Sequence, residues 1–124
     1  MEIKTGIDII EVKRIQEAIE RQGEKFLKRV YTVQEIEYCD NTGKMRYQHY
    51  AARFAAKEAI FKAISSKLSS DIGDIWTNIE IQNNENHKPI ANLERLNLSS
   101  IESMDLSLSH IAEYAVASFN IIFK

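Results

Sequence analysis

The sequence predicts an α+β fold, a small antiparallel sheet packed against one long helix, and three features predict it. Residues 45–68 hold alanines and long side chains with no Gly or Pro, the composition of a single long helix. Residues 104–110 and 114–123 alternate apolar with polar and are joined by only a few residues, the pattern of an antiparallel hairpin. A third alternating run opens the chain at residues 3–10. Helix and strands together predict one helix layer on one sheet.

In chain order, residues 3–10 alternate around Ile7 and Ile9 and read as a strand, with Asp8 facing away from both. Val12, Ile15 and Ile19 recur at helical spacing over residues 11–22, and Gly23 interrupts them. Phe26, Leu27 and Val30 begin a second short apolar segment. Thr32 followed by Glu35 resembles a capping box, which predicts a helix from residue 33 to about 39. Asp40-Asn41-Thr42-Gly43 reads as a loop. On the long helix, Tyr47, Ala51, Phe54 and Phe61 mark one buried face, and Glu58 falls on it. Residues 69–73 read as a break. Residues 75–82 read as a strand with Ile75, Ile79 and Ile81 on one face, residues 83–89 as a turn, and residues 92–100 as a short helix or turn. The closing hairpin carries Leu106 and Leu108 on one strand and Ala115, Ala117, Phe119 and Ile121 on the other.

The 124 residues fit one domain over 1–124, and a chain this size buries roughly two-thirds of its unfolded surface. A net charge of -2 argues against a general nucleic-acid binder. The charge is uneven. Residues 1–62 hold twelve Lys/Arg against ten Asp/Glu, and residues 63–124 hold four against eight, so basic surface belongs to the first half. The single cysteine, Cys39, fits a reducing, cytoplasmic compartment and reads as a small core residue. No run of about 18 apolar residues predicts a membrane span, and the first residues lack the apolar region of a signal peptide.

Two carboxylates stand out. Aspartate is depleted in strands, so Asp8 is either a solvated edge residue or a ligand for a hard cation. Glu58 on an apolar face is costly unless something satisfies it, and its nearest formal partner is Lys62 at i+4. Two carboxylates without a His/Cys cluster suit magnesium rather than zinc. Arg53, Lys57 and Lys62 add three positive charges along the same helix, either a solvated face or a phosphate site, because a carboxylate-bound magnesium beside Lys or Arg is how proteins hold a diphosphate. His110 closes its strand on the side of Leu106 and Leu108, whereas His49 and His87 read as surface or structural. A second basic group, Lys13, Arg14, Arg21, Lys25, Lys28 and Arg29, is interleaved with Glu17, Glu20 and Glu24. It is either self-neutralised through i,i+4 pairs or the docking surface for an acidic partner.

Taken in order, three segments resemble one family. Gly6-Ile-Asp8-Ile-Ile-Glu-Val-Lys-Arg14-Ile, then Arg53-Phe-Ala-Ala-Lys57-Glu58-Ala-Ile-Phe-Lys62-Ala, then Ser107-Leu-Ser109-His110 with Tyr114-Ala115 are similar to the holo-[acyl-carrier-protein] synthases, the short bacterial branch of the 4′-phosphopantetheinyl transferase superfamily. Phe26, Arg29, Thr32, Glu35 and Lys88-Pro89 extend the resemblance over essentially the whole chain. It implies a 4′-phosphopantetheinyl transferase-like fold and transfer of the phosphopantetheine arm of coenzyme A to a serine of apo acyl carrier protein. It further implies release of 3′,5′-ADP and a role in fatty acid biosynthesis. Carried over by residue, Asp8 and Glu58 hold magnesium, Lys62 neutralises the attacked phosphate, and His110 contacts coenzyme A. Arg53, with Lys44 and Arg46 as weaker candidates, binds phosphate. Arg14, Arg21, Lys25, Phe26 and Arg29 dock the carrier. The resemblance also implies a homotrimer with sites between subunits. The serine proton goes to a magnesium-bound water or to a carboxylate such as Glu58. The chain departs from the family where Ala63-Ile-Ser65-Ser66-Lys67-Leu68 replaces a glycine-rich turn, and where His87 replaces the glycine before Lys88. Two other classes stay open, a carrier-binding module without transfer activity and a magnesium-dependent phosphohydrolase using Asp8 and Glu58.

Overall fold

The computed structural model describes residues 1–70 and 73–124. Strand β1 (Glu2–Glu11) leads directly into α1 (Val12–Gln22), followed by α2 (Glu24–Val30) and α3 (Val33–Asp40). A 3-10 turn at Gly43–Met45 opens the long α4 (Arg46–Ile64), and another at Ser65–Lys67 closes it. Then come the short α5 (Ile75–Asn78), β2 (Glu80–Asn83), β3 (Pro89–Asn92), a 3-10 turn at Glu94–Leu96, β4 (Ile101–His110) and β5 (Tyr114–Phe123). The main sheet is antiparallel in the order β1-β5-β4, and β2 and β3 form a separate two-stranded ribbon. The break expected over residues 69–73 includes 71 and 72, which lie outside the described residues.

Local chemistry sets these boundaries. Gly23 takes φ +58 between α1 and α2, a left-handed conformation that glycine adopts without steric cost, and its N–H returns to Ile19 O. The Thr32–Glu35 capping box forms in both directions: Glu35 N donates to Thr32 Oγ1, and Thr32 N to Glu35 Oε1. The strand expected over 75–82 is instead a helical turn followed by a strand. Asp74 caps the turn by accepting from Trp76 N, and Asn78 Nδ2 donates back to Asp74 O. Strand β3 is an addition to the expected elements. It pairs with β2 across a turn in which Asn84 Oδ1 accepts from Asn86 N and Lys88 N, and His87 sits at φ +62.

Helix α4 lies between two cores. On one side Ala55, Ala59, Ile60 and Ile64 pack with Ile79, Ile81, Leu93, Leu106, Phe119 and Phe123. On the other, Tyr50, Ala51 and Ala52 pack with Ile15, Ile19, Phe26, Leu27, Val30 and Tyr31. Cys39 is fully buried in the second core, and burial pushes its thiol up to about 12, so it is a core residue and not a nucleophile. The least buried face of α4 is the one carrying Phe54, Glu58 and Phe61, opposite to the expectation that this stripe faces the core. Phe54 and Phe61 instead lean on Trp76, with ring centroids 5.8 and 6.5 Å away.

The hairpin buries the face expected of it, with Leu106, Ala115, Ala117, Phe119 and Ile121 inside, but the two faces of β1 are reversed from the expected ones. Gly6, Asp8 and Ile10 turn toward α4, whereas Ile7 and Ile9 point outward at 65% and 64% exposure. Gly6 explains the choice. A Cβ there would stand 1.8 Å from Ala59 O, so only glycine lets the strand meet the helix backbone. We therefore expect Gly6→Ala to lower stability by roughly 1–3 kcal/mol or more, because the clash is with backbone and not with a movable side chain. Thermal unfolding with no loss in that variant would remove this contact from the account.

Candidate active site

Asp8, near the middle of β1, and Glu58 and Lys62, one turn apart on α4, meet because Gly6 draws the helix onto the strand. Lys62 Nζ donates to Asp8 Oδ1 at 3.1 Å and to Ile7 O at 3.0 Å. The expected i,i+4 pair with Glu58 is not formed. Among the described residues Glu58 makes no ion pair or hydrogen bond and stays half-buried. Burial first, then the Asp8 charge, raise its pKa above the ordinary value, and Lys62 only partly opposes this. Two neighbouring carboxylates with one lysine, bonded to Asp8 alone, leave a local excess of negative charge.

The three side chains open into a cleft of about 610 Å³, lined also by Ile10, Arg14, Glu17, Arg21, Phe26 and Phe54. One wall thus carries the carboxylates and Lys62, and the other carries the basic face of α1 with Phe26. Arg14, Glu17 and Arg21 are exposed, and none of them joins an ion pair among the described residues. The self-neutralised α1 is therefore not what forms. Its charges remain available to a partner. Lys25 and Arg29 stand off the cleft. Arg29 donates to Gln22 Oε1 and lies over the Phe26 ring at 5.9 Å.

The remaining expected residues sit elsewhere. Arg53 and Lys57 are buried on the α3 side of α4, not on a solvated face. Lys57 pairs with Glu35 at 2.7 Å, and the Arg53 guanidinium lies 4.1 Å from the Tyr38 ring centroid with Nε unpartnered. Arg46 bonds Asp40 at 2.7 Å, and Lys44 is exposed, both at the start of α4. His110 sits beneath the same end, with Nδ1 2.8 Å from Gln48 Oε1 and its ring 5.1 Å from that of His49. Gln48 and Glu58 are ten residues apart, about 15 Å along the helix. One chain therefore gathers Asp8, Glu58 and Lys62 at one end of α4 and Lys44, Arg46, Arg53 and His110 toward the other. Sequence reasoning names Glu17 only as a neutralising neighbour of the basic residues and does not single out Gln48. Glu17 sits between Arg14 and Arg21 at helical spacing, but nothing in the sequence around Gln48 marks it.

No group of three or more His, Cys, Asp or Glu side chains that could hold a metal exists among the described residues. Asp8 and Glu58 alone match the donor set of a hard cation that keeps waters and takes further oxygens from its substrate. No helix among the described residues is long and apolar enough to cross a membrane.

A family profile described as the 4′-phosphopantetheinyl transferase superfamily matches residues 4–118. A holo-[acyl-carrier-protein] synthase of Ruminiclostridium cellulolyticum is 43% identical over 122 residues, covering 94% of this chain and 90% of that protein. One from Chloroherpeton thalassium is 44% identical over 116 residues, covering 93% of each. Among solved structures, the Bacillus anthracis holo-(acyl-carrier-protein) synthase in complex with CoA (3′,5′-ADP) matches with TM-score 0.75 and 32% identity over 95% of this chain and 94% of that one. The chain belongs to the holo-[acyl-carrier-protein] synthase family of the 4′-phosphopantetheinyl transferase superfamily.

Proposed function

We propose that the protein, as a single domain over residues 1–124, transfers the 4′-phosphopantetheine group of coenzyme A to a serine of apo acyl carrier protein. In this reading it works in the cytoplasm, depends on magnesium, releases 3′,5′-ADP and supports fatty acid biosynthesis. The observation that carries the reading is the cleft itself, where Asp8, Glu58 and Lys62 face Arg14, Arg21 and Phe26. The complex of the Bacillus anthracis relative with CoA (3′,5′-ADP) supports the substrate.

The serine oxygen forms a bond to the β-phosphorus of coenzyme A as the bond from that phosphorus to the bridging oxygen breaks. The oxygen leaves with 3′,5′-ADP. Charge on the phosphoryl oxygens makes positioning and cations the main contributors. Lys62, already held at Asp8, meets that charge. Glu58, which stands with Asp8 and Lys62 and makes no ion pair or hydrogen bond among the described residues, takes the serine proton. Magnesium fits Asp8 and Glu58 because a cation removes the repulsion that raises Glu58. When bound, it neutralises and orients the diphosphate. Arg14, Arg21 and Phe26 receive the acidic carrier surface.

A homotrimer completes the site in this reading. Ile3, Ile7 and Ile9 are 63–65% exposed on the outer face of β1, beside Tyr114, Val116 and Ile122 on β5. That apolar face supports self-association. The separation of His110 from Glu58 along α4 supports a coenzyme A site shared by two copies.

Intact mass of apo carrier protein incubated with coenzyme A and magnesium tests the reaction. The expected result is a gain of one phosphopantetheine, lost with EDTA. Coenzyme A cleaved without carrier would indicate the phosphohydrolase, and coenzyme A bound without transfer the binding module.

Glu58→Gln separates stability from activity. A glutamate whose folded pKa is raised makes the protein less stable as pH climbs through that pKa, so at neutral pH its charge is a cost. We expect Glu58→Gln to raise Tm at neutral pH while transfer falls on the order of 10²–10⁴-fold. A lowered Tm would defeat the electrostatic account, and full turnover the catalytic one. Arg14→Glu is expected to raise KM for carrier several-fold more than KM for coenzyme A; equal effects would remove Arg14 from docking. Light scattering should give three chains per particle. Ile7→Lys with Ile9→Lys should shift it toward one chain with loss of turnover, whereas a fully active single chain would contradict the shared site.

A further inference from the structure

His110 ends β4 with its ring half-buried under the first turns of α4. Gln48 Oε1 lies 2.8 Å from its Nδ1. An amide oxygen only accepts, so the contact is a hydrogen bond only when Nδ1 carries the proton. The neutral ring then holds its lone pair on Nε2, and no described group bonds that nitrogen. His49 stands edge-on to the same ring at 5.1 Å and 60°, and Tyr38 stands edge-on to His49 at 5.5 Å. His110 is thus gripped at one nitrogen and along one edge, with the second nitrogen unengaged.

We propose that Gln48 is a positioning residue that holds the Nδ1 proton of His110 and keeps Nε2 turned toward the phosphate groups of coenzyme A. The proposal rests on the reading in which His110 contacts that substrate. The advantage is preorganisation. With Nδ1–H held on Gln48, any proton on Nε2 is aimed at a phosphate oxygen, and Nδ1–H stays on Gln48 in either form of the ring. The ring does not turn between its neutral and charged states.

Nitrogen-15 NMR of the imidazole rings in the free protein, at alkaline pH, reads the tautomer directly. The expected spectrum has His110 protonated at Nδ1. Gln48→Leu moves it toward the Nε2–H form, and Gln48→Glu, which keeps an acceptor, restores Nδ1–H. In steady-state assays Gln48→Leu raises KM for coenzyme A about three- to tenfold, with a smaller effect on kcat and on KM for carrier. In a His110→Ala background the same change adds nothing. A wild-type Nε2–H tautomer, or an undiminished effect of Gln48→Leu in the His110→Ala background, would overturn the proposal. An unchanged KM for coenzyme A in His110→Ala would instead overturn the reading of His110 beneath it, while the NMR result still decides what Gln48 holds.

Discussion

Lys57 and Glu35 are both fully buried, and their side chains meet at 2.7 Å. Each spends its remaining capacity on backbone. Lys57 Nζ also donates to Val30 O and Trp76 O, and Glu35 accepts from Thr32 N and Ile81 N. The pair therefore ties the end of α2, the start of α3, α5 and β2 to a single point on α4. Burial lowers the Lys57 pKa, and the Glu35 charge opposes this. Removing one partner of such a pair leaves a buried charge and costs roughly 3–5 kcal/mol. Its consequence for function is rotational. Once Lys57 is fixed toward α3, the next residue is turned by about 100° around the helix. That turn points Glu58 at the cleft it shares with Asp8.

A fixed roll is useful only if the helix sits close to the strand. The alanines at 51, 52, 55, 56, 59 and 63 are all buried and carry little volume. Gly6 removes the last obstacle, and α4 meets β1 backbone to backbone at Ala59. Lys62 then reaches both Ile7 O and Asp8. Trp76 braces the outer face of α4 through Phe54 and Phe61. Its carbonyl is held by Lys57, and its ring stacks on Phe54 at a 17° interplanar angle. The apolar stripe around Glu58 is thus anchored from outside the helix, which leaves the carboxylate free while its neighbours are fixed.

Much of this was legible in the sequence where one residue type has one physical use. The capping box, the closing hairpin, the long helix and the exceptional carboxylates Asp8 and Glu58 belong to that class. The misread positions are those where two partners were possible. Lys57 looked like surface charge because its partner Glu35 had already been assigned to a cap, and one carboxylate has enough lone pairs for both tasks. Lys62 looked paired with Glu58 because helical neighbours are visible in sequence and a strand 54 residues away is not. Residues 75–82 read as a strand because Ile75, Ile79 and Ile81 also suit one, whereas the Asp74 cap decides for a turn. Strand β3 is four residues long and begins at Pro89, too short for alternation to register.

The orientation of β1 was the most consequential inversion, and it couples chemistry to assembly. Apolar alternation marks Ile7 and Ile9 as the face to bury, yet the chain buries Gly6 and presents the isoleucines outward. Burying each of them fully is worth about 1.5–3 kcal/mol, a driving force that a single chain leaves unused. In a strand, neighbouring side chains point to opposite faces, so Asp8 can face α4 only if Ile7 and Ile9 face away. A slip of one residue would exchange the two sets and lose both. In the proposed trimer the same ten residues therefore supply a carboxylate to the cleft on one face and an interface on the other. The second copy that covers Ile7 and Ile9 is then the means by which the His110 end of one α4 is brought to the Glu58 end of another. On that proposal, a substitution that weakened the interface would weaken coenzyme A binding without touching any residue of the cleft.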